Sequence, residues 1–274
     1  MISADLKSLT DWAESELDSD LQNWVKSQVS KIETNPKLHF YTSLSLTARK
    51  TSSPLTNTPI IKLNNEYVWH AKGWNQRTLI RAIFCLTALN EQGDPLIETA
   101  FNTADLNESI DLYQILPLFK VSPEQTLRAS EGLRSNATVV FKSVAHHSPL
   151  PLNLEEPAWN QMILKSLFID SALSPILGLE DRWNKDLSDM LSDYAEERIS
   201  ARRPVPLELW RCISPYLSDR HRDMIQTEWS FNETKAQSAL YLCLKDSKLK
   251  WAQELITSYK TPTSQPNWES LCPT

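Results

Sequence analysis

The side chains best able to do chemistry gather between residues 128 and 211. In EDRWNKDLSDMLSDYAEERISARR, the carboxylates of Asp186, Asp189, Asp193 and Glu197 recur at helical spacing, and such a row can serve general acid/base catalysis or bind a metal. Arg182 and Lys185 interleave with them, so the same pattern also describes a solvated helix face carrying i,i+4 pairs. Asp193 and Glu197 are the better candidates, because Arg198, Arg202 and Arg203 follow closely enough to pair with them and hold them in place. In EGLRSN, Glu131 and Arg134 stand three apart on one helix face with Gly132 between them. A glycine there admits a ligand or another backbone, or simply marks a helix crossing. Asn136 is placed to cap the next helix. In AWNQMILKSLF, Gln161 and Lys165 share a polar face with Asn160 beside them, opposite a buried face of Met162, Ile163, Leu167 and Phe168. That polar face is either a hydrogen-bonding wall or a solvated one. His146 and His147 are adjacent, so on a helix they point about 100° apart and lack the spacing of metal ligands. A histidine favoured by the dipole of a helix C-terminus is the simpler account.

Composition removes whole classes of chemistry. At the usual ~7% a chain of this length would hold about 19 glycines; this one of 274 residues has 4, at positions 73, 93, 132 and 178. There is no GxGxxG, no Walker loop and no GxSxG elbow, which speaks against dinucleotide, P-loop and α/β-hydrolase sites. A formal charge of -6 excludes a broad phosphate-binding footprint, so nucleic acid is not expected as a partner. Cys85, Cys212, Cys243 and Cys272 lie far apart without CxxC or CxH spacing and read as reduced thiols. No metal and no cofactor is implied. The opening MISADLKSLTDWAESELDSD lacks a basic start and an apolar run, and the most apolar stretch, 79–89, is interrupted by Arg81. The expectation is a cytoplasmic protein without direct membrane insertion.

The elements that must position these residues are helices. Apolar positions from Leu6 to Val29 keep a 3.6 period and predict one amphipathic helix over 6–32, followed by a second in LHFYTSLSLTARK. Residues 51–73, with Pro54 and Pro59, form an irregular connection in which IIKL and EYVWH can pair as an ornamental ribbon. Beyond it, helices are expected at 75–90, 95–105, 108–119, 123–135, 137–147, 157–170, 181–202, 206–217, 219–229, 233–245 and 248–260. Asp94-Pro95 and Ser122-Pro123 are start signals, the second with the S-x-x-Q pattern of a capping box. Most of the ten tryptophans fall on apolar helix faces, where large rings pack between helices. The predicted class is all-α, a right-handed α-α superhelix of antiparallel pairs of the HEAT or armadillo kind. Its expected layout is N-terminal helices at 1–50, the connection at 51–73, a helical-repeat domain at 74–261 and a tail at 262–274.

An ordered set of short motifs resembles the EboA family: FNTADL from Phe101, LYQILPL from Leu112, EGLRSN from Glu131, AWNQMILK from Ala158, DYAEER from Asp193 and LWR from Leu209. The resemblance spans about 74–256, with a looser match before it. It implies an accessory protein of bacterial gene clusters that make or export specialised metabolites, encoded beside prenyltransferase-like, metal-hydrolase-like and sugar-processing enzymes. By position it carries over Glu131, Arg134, Ser135, Asn136, Trp159, Asn160, Gln161, Lys165, Asp193, Tyr194, Glu197, Arg198, Trp210 and Arg211. Glu196 stands where the family usually has histidine, so that base or ligand is missing here, and HHSPLPLN departs from the usual N-P-Y-P type of loop.

Two functions follow. The first is a non-catalytic binding or scaffold protein whose polar motif residues dock another protein of the cluster or a small metabolite. The second is an enzyme using Asp193 or Glu197 as general acid/base on an anionic or cyclitol-like metabolite held by Arg134, Arg198 or Lys165. A purely structural partnership with the membrane prenyltransferase-like protein is a further alternative.

Overall fold

The computed structural model describes residues 6–63, 67–92, 94–231, 234–258 and 266–272. Gly93 and the expected cap on Asp94 lie outside what it describes. The class is all-α: among the described residues there are fifteen α-helices and one two-stranded ribbon. The chain divides into two compact units, Met1–Leu154 and Glu155–Thr274.

The first unit begins with a departure from the expected single helix over 6–32. The Asp18 carboxylate accepts the Leu21 N–H at 2.8 Å, and this new N-cap separates α1 (Leu6–Glu16) from α2 (Ser19–Thr34). Asn35 and Pro36 start α3 (Pro36–Lys50) by the same device. The ribbon forms from β1 (Ile60–Lys62) and β2 (Val68–His70), antiparallel with Ile61 opposite Trp69. It is more than an ornament, because Ile61 and Trp69 are buried and the Trp69 indole N–H donates to the His147 carbonyl at 2.6 Å.

The stretch 79–89 becomes the hub. In α4 (Gln76–Gln92), residues 79 to 89 are all buried, as a helix apolar on every side must be, and α4 packs on α1, α2 and α3. It also meets α5 (Asp94–Thr103) and α6 (Leu106–Ile115), contacts wider than the immediate neighbours of a simple repeat. Arg81, in the middle of this run, therefore has to be neutralised inside the core. Asp111 of α6 does this: it takes Arg81 Nη1 at 2.5 Å, Arg77 Nε at 2.6 Å and the Thr78 hydroxyl at 2.8 Å. The Leu44 carbonyl accepts two further Arg81 donors at 3.2 Å.

Next come α7 (Pro123–Arg134) and α8 (Thr138–Ala145). Ser122 caps α7 as expected, accepting the Gln125 N–H at 3.2 Å. The reciprocal half of the capping box is not formed, because the buried Gln125 amide donates instead to the Leu116 and Phe119 carbonyls of the preceding turn. A complete box occurs at Asp105 and Glu108, which the sequence reading passed over.

The second unit contains α9 (Glu156–Phe168), α10 (Lys185–Ser200), α11 (Leu207–Ile213), α12 (His221–Ser230), α13 (Thr234–Leu244), α14 (Lys250–Ser258) and α15 (Trp268–Leu271). α10 starts later than expected, at residue 185, because the Asn184 side chain accepts the Leu187 N–H at 2.8 Å. Trp159 and Trp210 are fully buried here, in line with tryptophans as core. α11 packs on α10 and α13, and its buried Glu208 accepts the N–H groups of Leu173 and Ser174 at 2.7 and 3.1 Å, fixing the loop after α9.

Candidate ligand cavity

Two helix ends in the second unit stop in the same unusual way. After α9 the chain turns through Asp170 at φ 53°, with Asp170 N–H bonded to the Leu167 carbonyl and Ser171 N–H to that of Ser166. After α10 it turns through Arg202 at φ 54°, with Arg202 N–H bonded to the Ile199 carbonyl and Arg203 N–H to that of Arg198. Both are Schellman turns, whose left-handed residue is usually glycine. This glycine-poor chain fills them with an aspartate and an arginine, a conformation costing about 1–2 kcal/mol for most residues.

Past the second turn, Pro204 and Pro206 keep the chain extended. The Arg198 Nε donates to the Pro204 carbonyl at 2.5 Å and its Nη1 donates to the Tyr194 hydroxyl at 3.0 Å, so the guanidinium is held in place over the Tyr194 ring. Between these segments, the end of α12 and the start of α13 lies a cavity of about 550 Å³. Arg198, Arg202, Arg203 and Lys235 line it together with Asp170 and Glu228, and Val205, Leu207, Phe231 and Ala236 supply its apolar wall. That volume is within the range of small-molecule sites. None of its four cations forms an ion pair among the described residues.

The expected site residues are dispersed around this geometry. Within the second unit only Arg198 lines the cavity, with Tyr194 holding it. Asp193 does not pair with Arg198, Arg202 or Arg203; it is exposed and ion-paired with Arg220, which also takes Glu196 at 3.3 Å. Glu197 is exposed and pairs with none of the three arginines either. The remaining carboxylates behave as a charged face: Lys185 bonds Asp189 at 2.5 Å and holds its carboxyl below the usual range. Asn160 is not part of a polar wall, being buried and joined to Asn184 by reciprocal amide bonds of 3.1 and 2.9 Å. Gln161 is exposed, and partial burial lowers the pKa of Lys165. Phe168, expected inside, is 71% exposed. Arg211 pairs with Glu180.

In the first unit Glu131 pairs with Arg128 at 2.8 Å, while Arg134 and Asn136 are exposed. Asn136 does not cap α8, whose N-cap is Ala137 without a side-chain bond. Gly132 admits no ligand: a Cβ there would lie 2.6 Å from Val144 Cγ2 and 2.7 Å from Tyr113 Cε1. His147 lies past the C-cap of α8, and burial and Lys72 lower its pKa, the opposite of the rise that a helix C-terminus causes.

The sequence reading missed Asp170, Val205, Leu207, Glu228, Phe231, Lys235 and Ala236. The RRPVP run was the one available signal, as two cations before a proline-stiffened apolar strip. The reading also missed a Ser192–His221 contact of 2.9 Å, which resembles a nucleophile and its base. Its polarity is wrong for that role. The Ser218 N–H donates to His221 Nδ1 at 3.0 Å, so Nε2 carries the proton and donates to Ser192, whose own hydroxyl donates to the Ser188 carbonyl at 2.7 Å. Burial lowers the His221 pKa, which favours the neutral ring. Among the described residues no group of three or more His, Cys, Asp or Glu is placed to hold a metal ion, and no helix is long and apolar enough to cross a membrane.

The arrangement is that of a helical protein with a ligand-sized cavity. Residues 6–214 match the family model described as metabolite traffic protein EboA, and the chain belongs to the EboA family. The match starts far ahead of about residue 74, where the resemblance is expected to begin, and stops at 214 rather than about 256, before Glu228, Phe231, Lys235 and Ala236 of the cavity. No curated protein and no solved structure matches the chain.

Proposed function

We propose that this chain is a non-catalytic binding protein that holds a small metabolite during its traffic through a biosynthesis or export pathway. In this reading it acts in the cytoplasm beside the proteins of its gene cluster, which receive the ligand from it. The observation that carries the reading is the cavity of about 550 Å³, walled by apolar and cationic side chains of the second unit. The enzyme alternative fares worse because Asp193 and Glu197 are exposed and do not line that cavity, where a general acid or base needs a sheltered, substrate-facing position.

Native mass spectrometry of the full chain, purified from cells that also express the neighbouring genes, tests the proposal. The expected result is a small molecule released on denaturation and lost or held more weakly in Leu207→Trp, whose larger ring narrows the cavity. A wild-type chain that carries no molecule, or a Leu207→Trp chain that carries the same one undiminished, overturns it. Co-purification of a neighbouring gene product with the ligand-bound chain is the expected sign of hand-over.

A further inference from the structure

The cavity's side chains also define what kind of molecule fits. Five arginines elsewhere meet carboxylates, Arg77 and Arg81 at Asp111, Arg128 at Glu98 and Glu131, Arg211 at Glu180 and Arg220 at Asp193, while Arg49, Arg134 and Arg222 form no ion pair among the described residues but stand singly. In the cavity three arginines converge and none meets a carboxylate among the described residues. Among the described residues Arg198 bonds only a carbonyl, through Nε, and a hydroxyl, through Nη1, so its Nη2 donors are not used.

Basic residues at a helix C-terminus are favoured by the dipole, and that explains part of the set. It does not explain Lys235, the second residue of α13, where the dipole opposes a cation. It also does not explain Arg202 in a left-handed turn that glycine would take without strain. Four side-chain cations outnumber Asp170, Glu228 and the negative partial charges at the ends of α9, α10 and α12, one of which the start of α13 offsets, so the cavity stays electropositive. Its other wall is apolar, and Phe231 leaves half its surface uncovered at the rim.

We propose that the cavity takes an amphipathic organic anion, with a carboxylate or phosphate head on the forks of Arg198, Arg202 and Arg203 and an apolar body against Val205, Leu207 and Phe231. Planar guanidinium groups suit both heads because each presents paired oxygens to paired N–H donors. The proposal rests on the cavity being the ligand site and adds the class of ligand.

Four probes with one tail and different heads separate the two claims: octyl phosphate, octanoate, octanol and octylamine, titrated calorimetrically into the full chain. The expected result is that at least one anion binds about ten-fold tighter than octanol, that its affinity falls as salt rises, and that octylamine does not bind. The order of the two anions tells phosphate from carboxylate. Octanol or octylamine binding as well as both anions overturns the ligand class and leaves the cavity reading standing; no binding by any of the four overturns both. Arg202→Gly removes one cation while relieving the left-handed turn, so it should melt no lower than the wild type yet bind the preferred anion about five-fold more weakly. Unchanged affinity in that variant overturns the proposal.

Discussion

Arginines are treated in opposite ways in the core of the first unit and around the cavity of the second. In the core of the first, Arg81 is 1% exposed and every part of its fork is used by Asp111, the Leu44 and Asn107 carbonyls and Glu108. Around the cavity of the second, Arg202 and Arg203 are exposed and meet no carboxylate among the described residues. Burial decides the difference. A guanidinium taken out of water must find fixed partners within the fold, whereas one left at a cavity wall keeps its donors for whatever enters. A buried ion pair therefore belongs to the structure of this protein, and the unpaired cluster is what the proposed ligand site draws on.

Breaking the buried cluster should have the largest effect. Asp111→Ala leaves Arg81 and Arg77 without their shared carboxylate, and removal of one partner from a buried pair costs about 3–5 kcal/mol. Chemical denaturation should show a loss of that size. A change below about 1 kcal/mol would mean that water reaches Arg81, and the contrast between the units would collapse. Gly132→Ala comes next, because its new methyl meets Val144 and Tyr113 at 2.6–2.7 Å, and overpacking of this kind costs about 1–3 kcal/mol. Combining it with Val144→Ala, which opens space at the closest contact, should recover part of the loss in thermal melts.

How much of this could be read in advance follows the range of each signal. Helices were legible because their evidence is local: the 3.6 period, Ser122 before Pro123 and the Ile61 and Trp69 strips all lie within a few residues of what they specify. The break at Asp18 was hidden because the apolar period runs on across it while a single carboxylate starts a new helix. The site was poorly legible because it joins residues near 170, 198–207 and 228–236, which no shared period or motif connects. Charges misled most. Asp193 lies five residues before Arg198 but finds Arg220, 27 positions away, and Glu131 finds Arg128 rather than Arg134. Sequence spacing shows which partners are near, not which way the side chains turn.

Protonation gives a smaller effect that is present in both units. His147 and His221 each have a pKa lowered chiefly by burial, so the unfolded chain, with histidines near 6.5, binds protons that the folded chain refuses. Stability should rise with pH toward that value and fall as pH drops below it. In His221→Gln the amide oxygen can accept the Ser218 N–H and the amide nitrogen can donate to Ser192, so the variant should fold and show a flatter stability-pH slope between about pH 5 and 7. An unchanged slope would assign the titration to other groups.

The smallest expected effect separates the acidic face from the cavity. Asp193 is 73% exposed, and its pair with Arg220 sits in water, where such pairs contribute about 0–1 kcal/mol and weaken with salt. Asp193→Asn should therefore shift the melting point little and leave anion binding as it was. Arg203 is exposed as well, so Arg203→Gln should be as mild for stability, yet it should weaken anion binding because Arg203 lines the cavity. Measured side by side, the two variants compare one lost charge on the exposed face of α10 with one lost charge in the turn that follows it. If Asp193→Asn abolished binding or turnover and Arg203→Gln did neither, the functional surface would be the carboxylate row, and acid/base chemistry would replace ligand carriage as the better reading.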